Sequence, residues 1–154
     1  GAELPQAPPP CPAVTGQVLV EQMVEGRDFS CGVLDGESLP PIEIIPNEGF
    51  YDYENKYRPG ASREICPADI DGAADAKMRA AALKVHELLG LVAYSRSDFI
   101  LDREGQVWFL EVNTLPGMTA TSLLPQEAAV VGVDYDTLCQ RIVDASLAAR
   151  TQGN

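Results

Sequence analysis

The chain has 154 residues, 45% of them hydrophobic and 22% charged, with a formal net charge of −12. That length suits one domain with a real core, and the acidic balance argues against a nucleic-acid partner, which needs a basic stripe. No run approaches the ~18 apolar residues of a membrane span, and no basic-then-apolar start marks a signal peptide.

Four cysteines, Cys11, Cys31, Cys66 and Cys139, are scattered without a CxxC pair. Reduced cytosolic thiols are favoured over disulfides or zinc, and the localisation expected is cytoplasmic. His86 is the single histidine. Zinc chemistry built on histidine clusters is therefore excluded, as is any Ser-His or Cys-His triad that does not use His86.

In chain order, residues 1–16 hold five prolines and no periodic pattern, and read as a disordered lead or linker. QVLVEQMV (17–24) and RDFSCGVL (27–34) read as strands joined by a tight Glu25-Gly26 turn. After Asp35-Gly36 comes a third strand, LPPIEIIP (39–46), where Pro40 and Pro41 suit an edge or a strand start. Residues 47–63 carry tyrosines, glycine and proline breaks and mixed charge without either period. They read as a functional loop that orders on ligand binding. A helix follows, capped by Asp69 or Asp71, with Met78, Ala81, Ala82, Val85, Leu88 and Leu89 at helical spacing and Gly90 at its end. His86 beside that stripe reads as a boundary residue in solvent or in a hydrogen bond. Strands at 92–101 and 107–113 flank the turn DREGQ. Pro125 fits the first turn of a helix over about 122–131, and Leu138, Ile142, Ala145 and Ala149 mark one over about 136–150. Strands punctuated by a few helices, with hairpin connections, predict an α+β fold with a mainly antiparallel sheet. The domain is expected over 17–150, with 151–154 a tail.

The stretch VWFLEVNTLPGM (107–118) is unusual, because Glu111 and Asn113 interrupt an oily strand on the same alternation as Phe109. An unpaired carboxylate in a core costs several kcal/mol, so this face meets either solvent or a cation. A turn over 103–106 places Asp98 opposite Glu111 and Arg96 opposite Asn113, all on one face. Two carboxylates across a ladder repel unless a cation bridges them. Oxygen-only donors suit Mg²⁺, which completes its shell with water and phosphate. The alternative is a solvated polar face, and spacing alone leaves the two balanced. Further on, Ser122 opens a helix whose N-terminus suits an anion at Ser122 and Leu123, or is an ordinary serine cap.

SRSDFILDREGQVWFLEVNTLPGMTATSLLP resembles the C-terminal part of D-alanine–D-alanine ligases, members of the ATP-grasp superfamily. VLVEQMVEGRDFSCGVL resembles that family's hinge-and-strand segment, and FYDYENKY its closing loop, so the resemblance runs from about Gln17 to Arg150. It implies the C-terminal half of an ATP-grasp fold and an ATP-dependent carboxylate-amine ligase for peptidoglycan precursors. ATP, Mg²⁺ (or Mn²⁺) and D-alanine are the implied ligands, and the full-length enzyme is expected to be a homodimer. By resemblance Glu21 and Val24 meet the adenine, and Asp28 stands where the family has a glutamate for the ribose. Lys56 meets the phosphates, and Tyr57 closes over the substrates. Asp98, Glu111 and Asn113 ligate the metal, and Arg96 with the Gly117 amide stabilises the oxyanion. Ser122 and Leu123 take the second alanine's carboxylate. The family's N-terminal domain and central subdomain have no counterpart here, so half a grasp, inactive by itself, is expected. A stand-alone module that binds Mg²⁺ and nucleotide weakly without turnover, and a ligase for another amino-acid pair, remain alternatives.

Overall fold

The computed structural model describes residues 19–46 and 62–152. The lead at 1–16 and the aromatic loop, Lys56 and Tyr57 included, lie outside these residues apart from the loop's last two positions. In chain order the elements are β1 (Gly26–Leu34), β2 (Glu37–Ser38), β3 (Ile42–Pro46), β4 (Ser62–Ile65), α1 (Gly72–Leu88), β5 (Tyr94–Asp102), β6 (Val107–Asn113), α2 (Leu123–Val130) and α3 (Tyr135–Gln152). The sheet runs β4-β3-β1-β5-β6, with the short β2 paired to β1, and every pairing is antiparallel. The α+β, antiparallel expectation holds.

Strand alternation explains the layering. Along β5, Ser95, Ser97, Phe99 and Leu101 are buried, while Tyr94, Arg96, Asp98 and Ile100 are only half-buried. The buried face joins Phe29, Cys31 and Val33 of β1 beneath Ala74, Met78 and Ala82 of α1. Phe29 pairs directly with Phe99, and each such fully buried ring contributes about 1.5–3 kcal/mol. A second cluster, of Leu34, Leu39, Leu124, Ala128 and Leu138, seats α2 and α3 against the end of β1 on the other face.

Local chemistry sets the element ends. Asp71 caps α1, its carboxylate accepting from the Ala73 and Ala74 amides at 2.8 and 2.9 Å, and Gly90 follows the helix at a φ of 62°. In the β5–β6 turn, Asp102 accepts from the Glu104 and Gln106 amides and from the Trp108 indole. His86 is buried, its Nδ1 2.8 Å from Ser95 Oγ, so it is a hydrogen-bonded core residue rather than a solvated one. Cys31, Cys66 and Cys139 are free thiols. Burial pushes the Cys66 thiol up to about 11, and Cys31 is raised too, which leaves both unreactive. Among the described residues no helix is long and apolar enough to cross a membrane.

Two expectations fail and a third holds in part. Residues 19–25 form no strand; Leu19, Val20 and Met23 are more than 80% exposed, with no strand among the described residues to pair or bury them. Gly26 does not reverse the chain. It opens β1 where a Cβ would lie 2.4 Å from the Leu101 carbonyl oxygen, so it allows close backbone approach instead. Pro40 and Pro41 mark a strand start, one of their two expected places, but not an edge: β3 is interior, because residues 62–65, which begin in the last two positions of the expected loop, form β4 beside it.

Candidate functional site

The half-buried face of the sheet gathers chemistry from three strands. Across β1 and β5, Ser30 pairs with Asp98 and Gly32 with Arg96; across β5 and β6, Asp98 pairs with Glu111 and Arg96 with Asn113. Paired residues share a face, so Arg96, Asp98, Glu111 and Asn113 converge as expected, although Leu101 pairs with Val107 and not, as a turn over 103–106 requires, with Trp108. Asp28 lies further along β1 on the same alternation, opposite Ile100 and Ile44.

The register is reached by a route the alternation of β6 did not suggest. Phe99 pairs with Phe109 while Asp98 pairs with Glu111, leaving Leu110 as an extra residue in a β-bulge. Phe109 therefore turns toward the α1 side, edge-on to Phe99 with ring centroids 5.8 Å apart. Glu111 turns to the opposite face. The supposed shared face of Phe109 and Glu111 is corrected by that one inserted residue.

Asp98 is held tightly. Its Oδ1 accepts from Ser30 Oγ at 2.8 Å and from Arg96 Nε at 3.0 Å, and its Oδ2 accepts from Arg96 Nη2 at 2.9 Å. Burial by itself would lower the Arg96 pKa, but the hydrogen bonds and charge of Asp98, with the charges of Glu127 and Glu111, hold it above the ordinary value. Among the described residues no three His, Cys, Asp or Glu side chains cluster. The donor set is instead two carboxylates and one amide, without nitrogen or sulfur ligands. It fits a hard divalent cation that keeps waters or phosphate oxygens in its shell, and does not fit zinc.

The loop after β6 brings Gly117 to Ser122: a Cβ on this exposed glycine would lie 3.0 Å from Ser122 Oγ. That hydroxyl accepts from the Thr119 amide at 3.0 Å and does not cap α2, although Ser122 is the N-cap residue. Of the two predicted positions, the Ser122 N–H is already given to the Thr119 carbonyl at 2.9 Å, whereas the first turn of α2 from Leu123 carries N–H groups that no side-chain cap has claimed, as an anion site needs. The ordinary-cap alternative is not what the serine does. Tyr135 of α3 donates to the Met118 carbonyl and ties the same loop down. Glu21 and Val24 lie in the irregular 19–25 segment, Glu21 exposed and Val24 half-buried, away from any strand pairing.

Two residues of this face escaped the sequence reading. Ser30 could have been found from alternation once β1 was paired with β5. Glu127 could not. It is fully buried on α2, and its Oε2 accepts from the Gly32 amide at 2.7 Å, beyond the last β1–β3 pair at Ser30 and Ile42. Oε1 finds no partner among the described residues, and burial pushes the carboxyl up to about 8, against the lowering effects of the Gly32 amide and Arg96.

A family model described as D-ala D-ala ligase C-terminus matches residues 2–144. The chain is similar to a D-alanine–D-alanine ligase of Oleidesulfovibrio alaskensis, 56% identical over 135 residues that cover 87% of this chain and 44% of that protein. With one of Nitratidesulfovibrio vulgaris it shares 47% identity, covering 87% and 45%. Its fold matches the crystal structure of D-alanine–D-alanine ligase from Bacillus anthracis complexed with ATP at a TM-score of 0.74 and 29% identity, over 87% of this chain and 42% of that one. Another structure of the Bacillus anthracis ligase matches with a TM-score of 0.75 at 32% identity. The chain spans under half the length of the relatives it matches.

Proposed function

The chain belongs to the D-alanine–D-alanine ligase family, of which it carries the C-terminal part, and on that premise we propose that it is the catalytic portion of an ATP-dependent enzyme making the D-Ala-D-Ala dipeptide for peptidoglycan precursors. The observation that carries the reading is the face shared by Arg96, Asp98, Glu111 and Asn113. The parent enzyme is taken to be cytoplasmic and homodimeric.

The chemistry accounts for the residue types. A carboxylate is a poor acyl donor, so an oxygen of the first D-alanine attacks the γ-phosphorus of ATP and ADP departs. The amine of the second then attacks the acyl carbon, and phosphate leaves with the proton passing to solvent or base. Asp98, Glu111 and Asn113 would hold Mg²⁺ or Mn²⁺, which when bound neutralises charge on the transferring phosphates. Arg96 and the Gly117 amide serve the oxyanion that develops at the acyl carbon, where a fixed positive group acts without reorganisation. The α2 N-terminus at Ser122 and Leu123 takes the second substrate's carboxylate. Glu21, Val24 and Asp28 are assigned to the nucleoside, and Lys56 to the phosphates. Tyr57 is assigned to closure over the substrates, which keeps water from the acyl phosphate.

A chimera tests the proposal. Replacing the C-terminal part of the Oleidesulfovibrio alaskensis relative with this chain should give ATP-dependent phosphate release with D-alanine, lost in an Asp98→Ala, Glu111→Ala version. A folded chimera that binds nucleotide but turns over no D-alanine would favour the binding-module reading. Turnover only with a different amino acid would favour the other-substrate reading.

A further inference from the structure

We propose that Ser30 is a positioning residue that fixes which oxygen of Asp98 faces the cation, an inference that rests on the metal reading of the same site. Ser30 is fully buried on β1 and lies directly opposite Asp98 in the register. A strand serine can bond locally to backbone, yet this hydroxyl crosses to Asp98 Oδ1 at 2.8 Å, a charge-assisted bond. Oδ1 also accepts from Arg96 Nε at 3.0 Å. A carboxylate oxygen offers about two lone-pair sites, so Oδ1 is filled. Oδ2 accepts only from Arg96 Nη2 among the described residues and keeps a site for a ligand. Asp98 therefore presents one oxygen on the face it shares with Glu111.

Arg96 cannot maintain that orientation by itself. Its guanidinium is also the group assigned to the oxyanion, so its hold on Asp98 loosens when substrate charge competes for the same N–H donors. Ser30 has no such second assignment, and its own side chain is fully buried. The hydroxyl is the constant restraint and the arginine the variable one. Removing it lets the carboxylate rotate and spreads its lone pairs over orientations that do not meet Glu111 and Asn113.

The test is Mn²⁺ binding to the chain, read from the electron paramagnetic resonance of free Mn²⁺, for wild type, Ser30→Ala, Ser30→Thr and Asp98→Ala. Thermal unfolding is followed in the same samples. Loss of an outer-shell partner typically weakens a metal site by about 10–100-fold, and Ser30→Ala should fall in that range. Ser30→Thr, which keeps the hydroxyl, should stay near wild type. Wild-type affinity in Ser30→Ala overturns the proposal even if that variant unfolds at a lower temperature. Equal weakening in Ala and Thr also overturns it, because packing rather than the hydroxyl would then be responsible. Wild type binding no better than Asp98→Ala would overturn the metal reading itself, and this inference with it.

Discussion

Glu127 is a carboxyl whose ionisation the fold opposes. Fully buried against Gly32, it is raised from 4.5 to about 8. The folded chain therefore keeps its proton where the unfolded chain has lost it. Its contribution to stability is whole below about pH 4.5, declines as pH rises, and is gone once pH passes about 8. At roughly 1.4 kcal/mol for each pH unit between those two values, the effect amounts to a few kcal/mol. Glu127→Gln keeps an oxygen for the Gly32 amide and has nothing to ionise. Its stability relative to wild type should climb between pH 5 and 8 and then level off, as read by urea denaturation across that range; parallel curves would contradict the assignment. Gly32→Ala tests the same contact from the other side. A Cβ there would clash with Glu127 Oε2 and Leu124 Cδ1, so those two buried side chains must give way and the Gly32–Glu127 contact is disturbed, at a cost of about 1–3 kcal/mol in stability, read from the denaturation midpoint. None of this was legible in LLPQEAAV, because the amide that Glu127 meets lies 95 residues away along the chain.

At the scale of elements, what could be read in the sequence was what is local. The α1 cap and stop and the DREGQ turn depend on residues near one another and appear where turn chemistry and period placed them, and the Asp98–Glu111 pairing appears too, though by way of a bulge. The failures are non-local. QVLVEQMV has a strand's composition but over 19–24 no pairing partner among the described residues, and β4 exists only because β3 offers it an edge. The bulge at Leu110 is a different kind of failure, since period-two alternation has no way to signal an inserted residue. It does make a sharp prediction. Deleting Leu110 leaves Phe109 opposite Phe99 and Glu111 opposite Asp98, so Mn²⁺ binding should survive. Deleting Val112 leaves Glu111 in place but moves Asn113 opposite Ser97, onto the α1 face, and binding should weaken markedly. The reverse order of affinities would show that the bulge is not where the pairing places it.

For the molecule as a whole, the question is how much a partial site can do. Relatives about twice this length carry this region with further chain, and the proposed reading leaves part of the nucleotide's contacts to that further chain. Each missing charge-assisted hydrogen bond costs about 1.5–3 kcal/mol, and several together move nucleotide binding toward the millimolar range. The 154 residues by themselves should therefore release no phosphate from ATP in the presence of D-alanine and Mg²⁺. Turnover that disappears in Asp98→Ala, Glu111→Ala would show that the further chain is dispensable or that self-association supplies it. The Ser30 to Asp98 bond carries one more consequence, for the order in which the chain folds. It joins residues 68 apart, whereas Asp98 and Glu111 face each other within a single hairpin. Hairpins close in roughly 1–10 μs, but β1 must first overcome a long loop closure before it docks on β5. The two negative charges therefore meet early, before the hydroxyl that orients one of them arrives, and their repulsion burdens the nascent hairpin. In stopped-flow refolding Asp98→Asn should quicken the folding limb, while Ser30→Ala should leave that limb unchanged and hasten unfolding.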